Sequence, residues 1–301
     1  MDAADRSATD GLRRTGRAPV PLPDALRLGH VSLQVSDLAR SLDYYTTVLG
    51  LEARRVDDRS AALHAENEPE PLVVLEERAG TKSIGINSRL GLYHFAILLP
   101  DRAALGRFLA HLASTGTRIG ASDHLVSEAL YLRDPDGLGI EVYRDRPRSE
   151  WRIADGELAM ASDPLDMAGV LAAGKDAPWT GMPRGTVMGH VHLHVGDLEV
   201  ASRFYHDALG LDRMVWSYPG ALFLSAGGYH HHLGVNTWAG RAAPASEDEA
   251  RLLEWRIVLP TTEDSRVVAE RLLAAGVTVA RESDDWLASD PWGTPLRLVV
   301  G

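Results

Sequence analysis

The clearest pattern in the chain is an alternation of apolar and polar residues over short segments. In GHVSLQV, which begins at Gly29, valine and leucine occupy every second position, and His30, Ser32 and Gln34 lie between them. Side chains on a β-strand point alternately to the two faces of the sheet, so this segment predicts a strand with one apolar and one polar face. A polar face of this kind predicts a sheet that curves around a polar pocket.

A helix is predicted directly after this strand. Asp37 is a candidate N-cap, because its carboxylate can accept a hydrogen bond from a free amide of the first turn. The following segment, LARSLDYYTTVLG, ends in glycine, as helices often do. The same plan recurs in YHFAILLP, which is followed by Asp101 and a helical segment that ends at Gly116. Short strands follow each helix, so the repeating unit is one strand, one helix and about three strands.

The whole plan then occurs a second time. The segment GHVSLQVSDLARSLDYYTTVLGL, which starts at Gly29, matches GHVHLHVGDLEVASRFYHDALGL, which starts at Gly189. A duplicated unit of this length indicates two copies of one domain. We therefore predict an α+β fold of two tandem domains, each built from two paired strand–helix–strand modules whose curved mixed sheet surrounds a pocket. The predicted boundaries are a mobile N-terminal tail over residues 1–25, a first domain over 26–146, a linker with one short helix over 147–183, and a second domain over 184–301.

Composition narrows the function. A formal net charge of −11 argues against nucleic acid or an anionic membrane as the main partner. The chain contains no cysteine, so histidine and carboxylate side chains must hold any metal. The N-terminal segment lacks the apolar core of a secretory signal, and no apolar run is long enough to span a bilayer. We therefore expect a cytoplasmic protein.

Three residues of the first half are candidate ligands of one metal ion. His30 and His94 lie on the first strands of the two modules, and Glu141 lies on the last strand of the second module. Pairing of these two equivalent strands would bring both imidazoles together, with Glu141 on a neighbouring strand. Two imidazoles and one carboxylate leave adjacent coordination positions open, which is the arrangement of non-haem Fe(II) oxygenases.

The duplicated module resembles the vicinal oxygen chelate superfamily, which contains glyoxalase I, bleomycin- and fosfomycin-resistance proteins and extradiol dioxygenases. In extradiol dioxygenases a histidine precedes an aliphatic–tyrosine pair, an Asp-Pro-x-Gly turn and a glutamate. The stretch SDHLVSEALYLRDPDGLGIEVY is similar, with His124, Tyr131 and Glu141 at these positions, and departs only at Ser122, where glycine or one of a few other residues is usual. As a whole, the chain looks most like the two-domain bacterial catechol 2,3-dioxygenases.

The resemblance implies a function and a set of roles. His30, His94 and Glu141 would hold Fe(II), or Mn(II), which would chelate the two oxygens of catechol or a substituted catechol beside O2. Tyr131 would donate a hydrogen bond to an oxygen of the substrate or intermediate, with His124 as a donor behind it. Small-molecule substrates are thus the expected partners. Because open sheet edges often pair in this superfamily, a homo-oligomer is also expected.

Two departures keep other functions open. Extradiol enzymes carry an acid–base histidine before the strand that corresponds to LVVLEE, but Pro71 and its neighbours precede that strand here, and only His64 on the preceding strand could substitute. Glu76 or Glu77 lies where glyoxalase-type members supply a fourth metal ligand, which favours a metal-dependent isomerase or lyase. The missing histidine also leaves open a non-enzymatic member that binds small molecules such as drugs.

The second half does not repeat the predicted triad. His190 corresponds to His30, but Glu254 and Arg297 take the positions of His94 and Glu141. The segment GGYHHHLGVNTW predicts His230 and His232 on one face of a strand. Together with His190 they could form a second metal or ligand site, or they could have a structural or interface role.

Overall fold

The first half of the chain contains two modules, as predicted. The computed structural model describes residues 16–301. Module one comprises β1 (Arg27–Val35), α1 (Leu38–Thr47), β2 (Glu52–Arg55), β3 (Ser60–His64) and β4 (Pro71–Glu77). Module two comprises β5 (Gly91–Leu98), α2 (Arg102–Thr115), β6 (Gly120–Asp123), β7 (Ser127–Arg133) and β8 (Gly139–Asp145).

A connecting segment leads to two further modules. It contains a 3₁₀ turn (Arg148–Glu150), the short strands β9 (Ile153–Ala154) and β10 (Glu157–Leu158), and the predicted short helix, α3 (Met167–Ala173). Module three comprises β11 (Val187–His194), α4 (Leu198–Ser202) with a following π-helical turn (Arg203–Ala208), β12 (Asp212–Val215), β13 (Ala221–Ser225) and β14 (Leu233–Asn236). Module four comprises β15 (Arg251–Leu259), α5 (Thr262–Ala274), β16 (Val279–Glu282), β17 (Asp285–Ser289) and β18 (Pro295–Val300).

The predicted N-caps and the C-cap at Gly116 are confirmed, whereas α1 ends at Thr47 with Val48 as its C-cap and not at Gly50. The carboxylate of Asp37 accepts a hydrogen bond from the amide of Arg40 at 2.9 Å, and α1 begins directly after it. The carboxylate of Asp101 accepts one from the amide of Ala104 at 2.7 Å at the start of α2. α2 then ends at Gly116, whose φ of 68° places it in the left-handed region that glycine tolerates best.

The paired modules form two eight-stranded mixed sheets, which confirms the α+β fold class. The strand order is β16-β17-β18-β15-β1-β4-β3-β2 in the first sheet and β12-β13-β14-β11-β5-β8-β7-β6 in the second. The modules therefore pair across the two halves of the chain, one with four and two with three, and not within each half as predicted. We call the first sheet the one–four sheet and the second the two–three sheet. The repeat makes all four first strands equivalent, so it could not indicate which of them pair.

The apolar faces of both sheets are buried in a common core. Val31, Leu33 and Val35 on β1 are fully buried, as the alternation predicted, and they belong to the same apolar cluster as Phe95 on β5 and Leu193 on β11. Burial of one such side chain stabilises the folded state by roughly 1.5–3 kcal/mol. The opposite, polar faces are thereby left free to line pockets.

The predicted turn between β7 and β8 holds module two against module one. The carboxylate of Asp134 accepts hydrogen bonds from the amides of Asp136 and Leu138 at 2.9 and 2.8 Å. Asp136 in turn forms an ion pair with Arg40, at 2.6 Å, and accepts a hydrogen bond from the amide of Ser36. The turn thus has a structural role, which is the simplest interpretation of its sequence.

Residues 1–15 of the predicted tail lie outside the described part of the chain. From residue 16 onwards the chain packs against module three. The amide of Leu22 donates to the carbonyl oxygen of Gly210 at 2.8 Å, and the Leu22 side chain is buried. Over residues 16–301, none of the helices has the length and apolar character needed to cross a lipid bilayer.

Candidate metal centre and active site

Three buried side chains converge on the concave face of the two–three sheet. His94 lies on β5, Glu141 on β8 and His190 on β11, and one potential ligand atom of each lies within 4.8 Å of the other two. Oε2 of Glu141 is 3.0 Å from Nε2 of His94 and 3.1 Å from Nε2 of His190. Both imidazoles therefore face the same carboxylate.

Strand pairing brings these residues together. β5 is the central strand, since it pairs in parallel with β8 and antiparallel with β11. The β5–β11 ladder is irregular: His192 is opposite His94, but Leu193 is opposite Leu92, so Tyr93 is an extra residue on β5. Bulges of this kind redirect side chains and are common next to active sites. Tyr93 and His94, although adjacent in sequence, both line the pocket.

His30 is not part of this group, and His190 takes its predicted place. β1 pairs with β15 in the one–four sheet, so the strand that carries His30 is not next to β5. The prediction relied on pairing of β1 with β5. The histidine in the equivalent position, 160 residues later, is the one whose strand does pair with β5.

The charge states of the three residues suit metal binding. Burial lowers the pKa of His94 and of His190, so both rings are neutral with a free lone pair. Burial on its own raises the pKa of a carboxyl, but the imidazoles of His190 and His94 outweigh it and hold the pKa of Glu141 well below its usual range. The site therefore offers two neutral nitrogen donors and one anionic oxygen donor.

The hydrogen bonding of these residues also fits a cation. Among residues 16–301, Nε2 of His94, Oε1 of Glu141 and Nδ1 of His190 are buried without a hydrogen-bond partner. Buried polar atoms are normally paired, because leaving one unpaired costs about 1–3 kcal/mol. A divalent metal ion between the three side chains would coordinate Nε2 of His94 and Oε1 or Oε2 of Glu141. The donor set of two imidazoles and one carboxylate suits iron or manganese.

The two predicted catalytic residues lie at the edge of the same site and contact each other. Nε2 of His124 is 2.5 Å from the hydroxyl oxygen of Tyr131, and Nδ1 of His124 is 2.6 Å from the carbonyl oxygen of Ala161. Since a carbonyl only accepts, Nδ1 carries the proton and Nε2 accepts the hydrogen bond from the tyrosine hydroxyl. Tyr131 is directly opposite Glu141 in the β7–β8 ladder. Leu125, next to His124, adopts a φ of 68°, which is uncommon for a residue other than glycine.

A pocket of about 310 Å³ contains all of these groups. It is lined by the triad together with Tyr131 and His124. The connecting segment contributes Met160, Ala161 and Ser162, and module three and the residues directly after it contribute the aromatic side chains of Tyr218, Phe223 and Trp238. The hydroxyls of Ser162 and Tyr218 lie 2.9 Å apart and join these two parts of the lining. The connecting segment is therefore part of the site.

Sequence reasoning missed one of the five histidines that line the pocket. His231 lines the cavity, and its ring centroid is 4.0 Å from that of His190. Its Nδ1 is 2.7 Å from Nδ1 of His230, whose Nε2 is 2.8 Å from the carboxylate of Asp145. Burial lowers the pKa of His231 well below its usual range, so the ring is neutral.

His231 lies at the position where the sequence analysis looked for an acid–base histidine. Val191 pairs with Leu233 on β14 in the same way as Val31 pairs with Val73 on β4. His231 therefore corresponds to Pro71, where that histidine was sought. The three consecutive histidines before β14 could have indicated this residue, but only if the pairing of the modules had been known.

The residues of module one that supported other functions lie away from this pocket. His64 and Glu76 belong to the one–four sheet, and the carboxylate of Glu77 accepts a hydrogen bond from the amide of Leu38 at the start of α1. The residue of the two–three sheet that corresponds to Glu76 is Asn236, whose amide contacts His192 and His194. Within residues 16–301, the group of potential metal ligands thus contains no second carboxylate.

A second metal site formed by His190, His230 and His232 is not present in the described residues. His190 belongs to the triad, and His230 pairs with Asp145. Nδ1 of His232 is 2.9 Å from the hydroxyl of Ser225. His230 and His232 precede β14 and do not lie on a strand.

Comparison with known proteins agrees with this architecture. The chain is 46% identical over 268 residues to a catechol-2,3-dioxygenase of Bacillus subtilis (strain 168). The aligned region covers 88% of this chain and 93% of that protein. A solved structure from Bacillus subtilis has a TM-score of 0.63 at 13% identity and covers 94% of this chain and 86% of its own. Glyoxalase I from Zea mays has a TM-score of 0.55 at 20% identity, with 92% of each chain covered. At these identities the two structures show the fold alone.

A family model matches most of the chain in two blocks, residues 27–142 and 187–289. The blocks correspond to modules one and two and to modules three and four, which is the duplication seen in the sequence. The relative that is 46% identical over most of the chain supports the same family assignment. The chain belongs to the Glyoxalase/Bleomycin resistance protein/Dioxygenase superfamily.

Proposed function

We propose that this protein is an extradiol dioxygenase that opens the ring of catechol or a substituted catechol with O2. The observation that carries this proposal is the convergence of His94, His190 and Glu141, because two imidazoles and one carboxylate leave coordination positions for a substrate. The similarity to a catechol-2,3-dioxygenase supports the same reaction. We propose Fe(II), or Mn(II), as the metal. It would supply Lewis acidity toward the catechol oxygens and the redox chemistry that O2 requires.

His231 is proposed as the acid–base group. The carboxylate of Asp145 accepts a hydrogen bond from Nε2–H of His230, which leaves Nδ1 of His230 as an acceptor. That nitrogen accepts from Nδ1–H of His231, so the lone pair of His231 is on Nε2. This nitrogen can take a proton from a catechol hydroxyl and return it later in the reaction. Asp145 and His230 thus hold the tautomer that the reaction needs.

Tyr131 and His124 are proposed to act on the substrate from the other side of the triad. Burial, and then the charge of Glu141, raise the pKa of Tyr131 well above its usual range, so its hydroxyl stays protonated. In the free protein this hydroxyl donates to Nε2 of His124. If Nε2 takes up a proton, the bond reverses and the tyrosine hydroxyl can donate to a substrate oxygen. Such a donor stabilises negative charge that develops on that oxygen.

The pocket walls are proposed to exclude bulk water during the reaction. The connecting segment covers one side, and the carboxylate of Glu157 accepts hydrogen bonds from the amides of Trp216 and Ser217 at 2.7 and 3.0 Å. These contacts fix the segment against module three. A site with little water strengthens each electrostatic interaction within it.

Oxygen consumption tests the proposal directly. The protein is reconstituted with Fe(II) or Mn(II) without oxygen, and oxygen-electrode traces are then recorded with catechol and with substituted catechols. We expect metal-dependent O2 uptake in proportion to the catechol consumed, with a ring-opened product that retains both oxygen atoms. No uptake with any catechol, combined with Ni(II)- or Zn(II)-dependent turnover of a glutathione hemithioacetal, would favour a glyoxalase-type isomerase instead.

A further inference from the structure

A second cavity lies directly beside the metal centre. It has a volume of about 610 Å³, larger than the first pocket. The two cavities share four lining residues, Tyr93, His94, Gly120 and Tyr131. A ring bound at the triad would therefore have room for a substituent on this side. We call this cavity the side chamber. It has no role in the reaction proposed above.

The walls of the side chamber carry positive charge. Arg133 lies two residues after Tyr131 on β7, so its side chain leaves the same face of the strand. Arg118, on the segment between α2 and β6, also lines the chamber. Tyr44 of α1 and the exposed Ile86 also line the chamber. The lining of the chamber includes two cations and no carboxylate.

Arg133 lacks the ion-pair partner that a half-buried guanidinium normally has. Its Nη1 donates to the carbonyl oxygen of Gly137 at 2.6 Å, and no carboxylate between residues 16 and 301 lies within 4.0 Å of its nitrogens. The neighbouring Asp134 accepts from two backbone amides, and Asp136 pairs with Arg40. Burial of an unpaired charge is unfavourable, so a guanidinium kept in this state indicates an anionic ligand.

Tyr44 supplies a second unused donor in the same chamber. Its hydroxyl is buried and has no hydrogen-bond partner in the described part of the chain. Burial, and then the charge of Asp134, raise the pKa of Tyr44, so the hydroxyl stays protonated and can donate. Arg133 lacks a carboxylate partner and the Tyr44 hydroxyl lacks an acceptor. A carboxylate can accept from both kinds of donor, and its planar shape matches the guanidinium group.

We propose that the side chamber binds a carboxylate substituent of the substrate, so that the preferred substrates are catechols with a short acidic side chain. Arg133 and Tyr44 are the specificity-determining residues. This inference rests on the proposed function for the orientation of the ring, which places the two hydroxyls at the triad. The recognition itself requires only that the ring is bound there and does not require turnover.

Binding without oxygen tests the inference. Calorimetry on metal-loaded protein under argon compares 3,4-dihydroxyphenylacetate with its uncharged amide, which has almost the same size. We expect the acid to bind at least about tenfold more tightly than the amide, because a hydrogen bond to a charged group contributes roughly 1.5–3 kcal/mol. Arg133→Gln should abolish most of this preference, and Tyr44→Phe should reduce it. Arg266→Gln, on the exposed face of α5, removes the same charge elsewhere and should retain the preference.

The outcomes separate this inference from the proposed function. Equal binding of acid and amide by the unchanged protein, or a preference that survives in Arg133→Gln, would overturn the inference even if both compounds are turned over. An Arg133-dependent preference for the acid in a protein that consumes no O2 with any catechol would support the inference and refute the proposed reaction. Binding of neither compound would overturn the inference.

Discussion

Glu254 and Arg297 form an ion pair, with Oε2 and Nη2 2.8 Å apart, at the two positions of the one–four sheet that correspond to His94 and Glu141. Arg256 pairs with the same carboxylate at 2.6 Å. His30, the equivalent of His190, is therefore near two guanidinium groups and the one carboxylate that both of them bind, whereas its counterpart faces the free carboxylate of Glu141. A cation is unfavourable beside two arginines. The duplication has thus produced one sheet with a metal-type donor set and one in which the same positions are closed by an ion-pair network.

The hydroxyl of Tyr131 is expected to matter for turnover and little for folding. Tyr131→Phe keeps the ring and removes only the group that contacts His124. We expect kcat with the best catechol to fall about 10²–10³-fold, as observed when an oriented donor is removed from an enzyme site. The midpoint of urea unfolding should change little. A kcat equal to that of the unchanged protein would show that the hydroxyl does not act in the reaction.

His231 is expected to be essential for fast turnover, and His64 is its control. His231→Gln removes the ring nitrogen proposed to accept the catechol proton, so we expect kcat to fall about 10²–10⁴-fold. His64→Gln alters a histidine in the one–four sheet and should leave kcat unchanged. Steady-state oxygen uptake with both variants makes the comparison. The opposite result, a fall in kcat in His64→Gln alone, would show that the acid–base residue belongs to module one.

The environment of His30 predicts a pH dependence of stability. Burial, and then the charge of Arg256, lower the pKa of His30 from 6.5 to about 4. Between these values the unfolded chain binds a proton that the folded chain does not, so the free energy of unfolding decreases as the pH is lowered from 6.5 to 4. This ring contributes at most about 3 kcal/mol to the decrease, and solvent screening reduces that value.

Removal of the His30 ring should therefore flatten the acid side of the stability curve. Urea unfolding of His30→Gln and of the unchanged protein at pH 7, 5.5 and 4 measures the effect. We expect the variant to lose less stability between pH 7 and 4. A loss equal to that of the unchanged protein would mean that His30 is protonated in the folded state at these pH values.

Much of the fold could be predicted because it depends on local patterns. The alternation in GHVSLQV, the caps at Asp37 and Asp101 and the glycine at the end of α2 each express a short-range requirement, and each is confirmed. His94 and Glu141 could be chosen for a similar reason, since each is a polar residue at the inward-facing position of a strand.

The remainder of the site depends on long-range pairing that the sequence does not encode locally. His30 and His190 lie in nearly identical segments, and only the partner strand distinguishes them. The same uncertainty concealed His231, because the search for an acid–base histidine used β4 and not β14. Repetition revealed the modules but left several pairings of them equally consistent with the sequence.

The most direct test of this account is the metal content of two matched variants, His190→Ala and His30→Ala. The two histidines occupy equivalent positions in the two halves of the chain, so the substitutions differ only in the sheet that they affect. Each protein is loaded with Fe(II) without oxygen, desalted and analysed for iron by elemental analysis. Loss of a ligand should lower affinity by at least about 10–100-fold, the effect of losing a residue that only supports a ligand. We expect His190→Ala to lose its iron and His30→Ala to retain as much as the unchanged protein. Full iron content in His190→Ala, with loss in His30→Ala, would contradict the proposed centre.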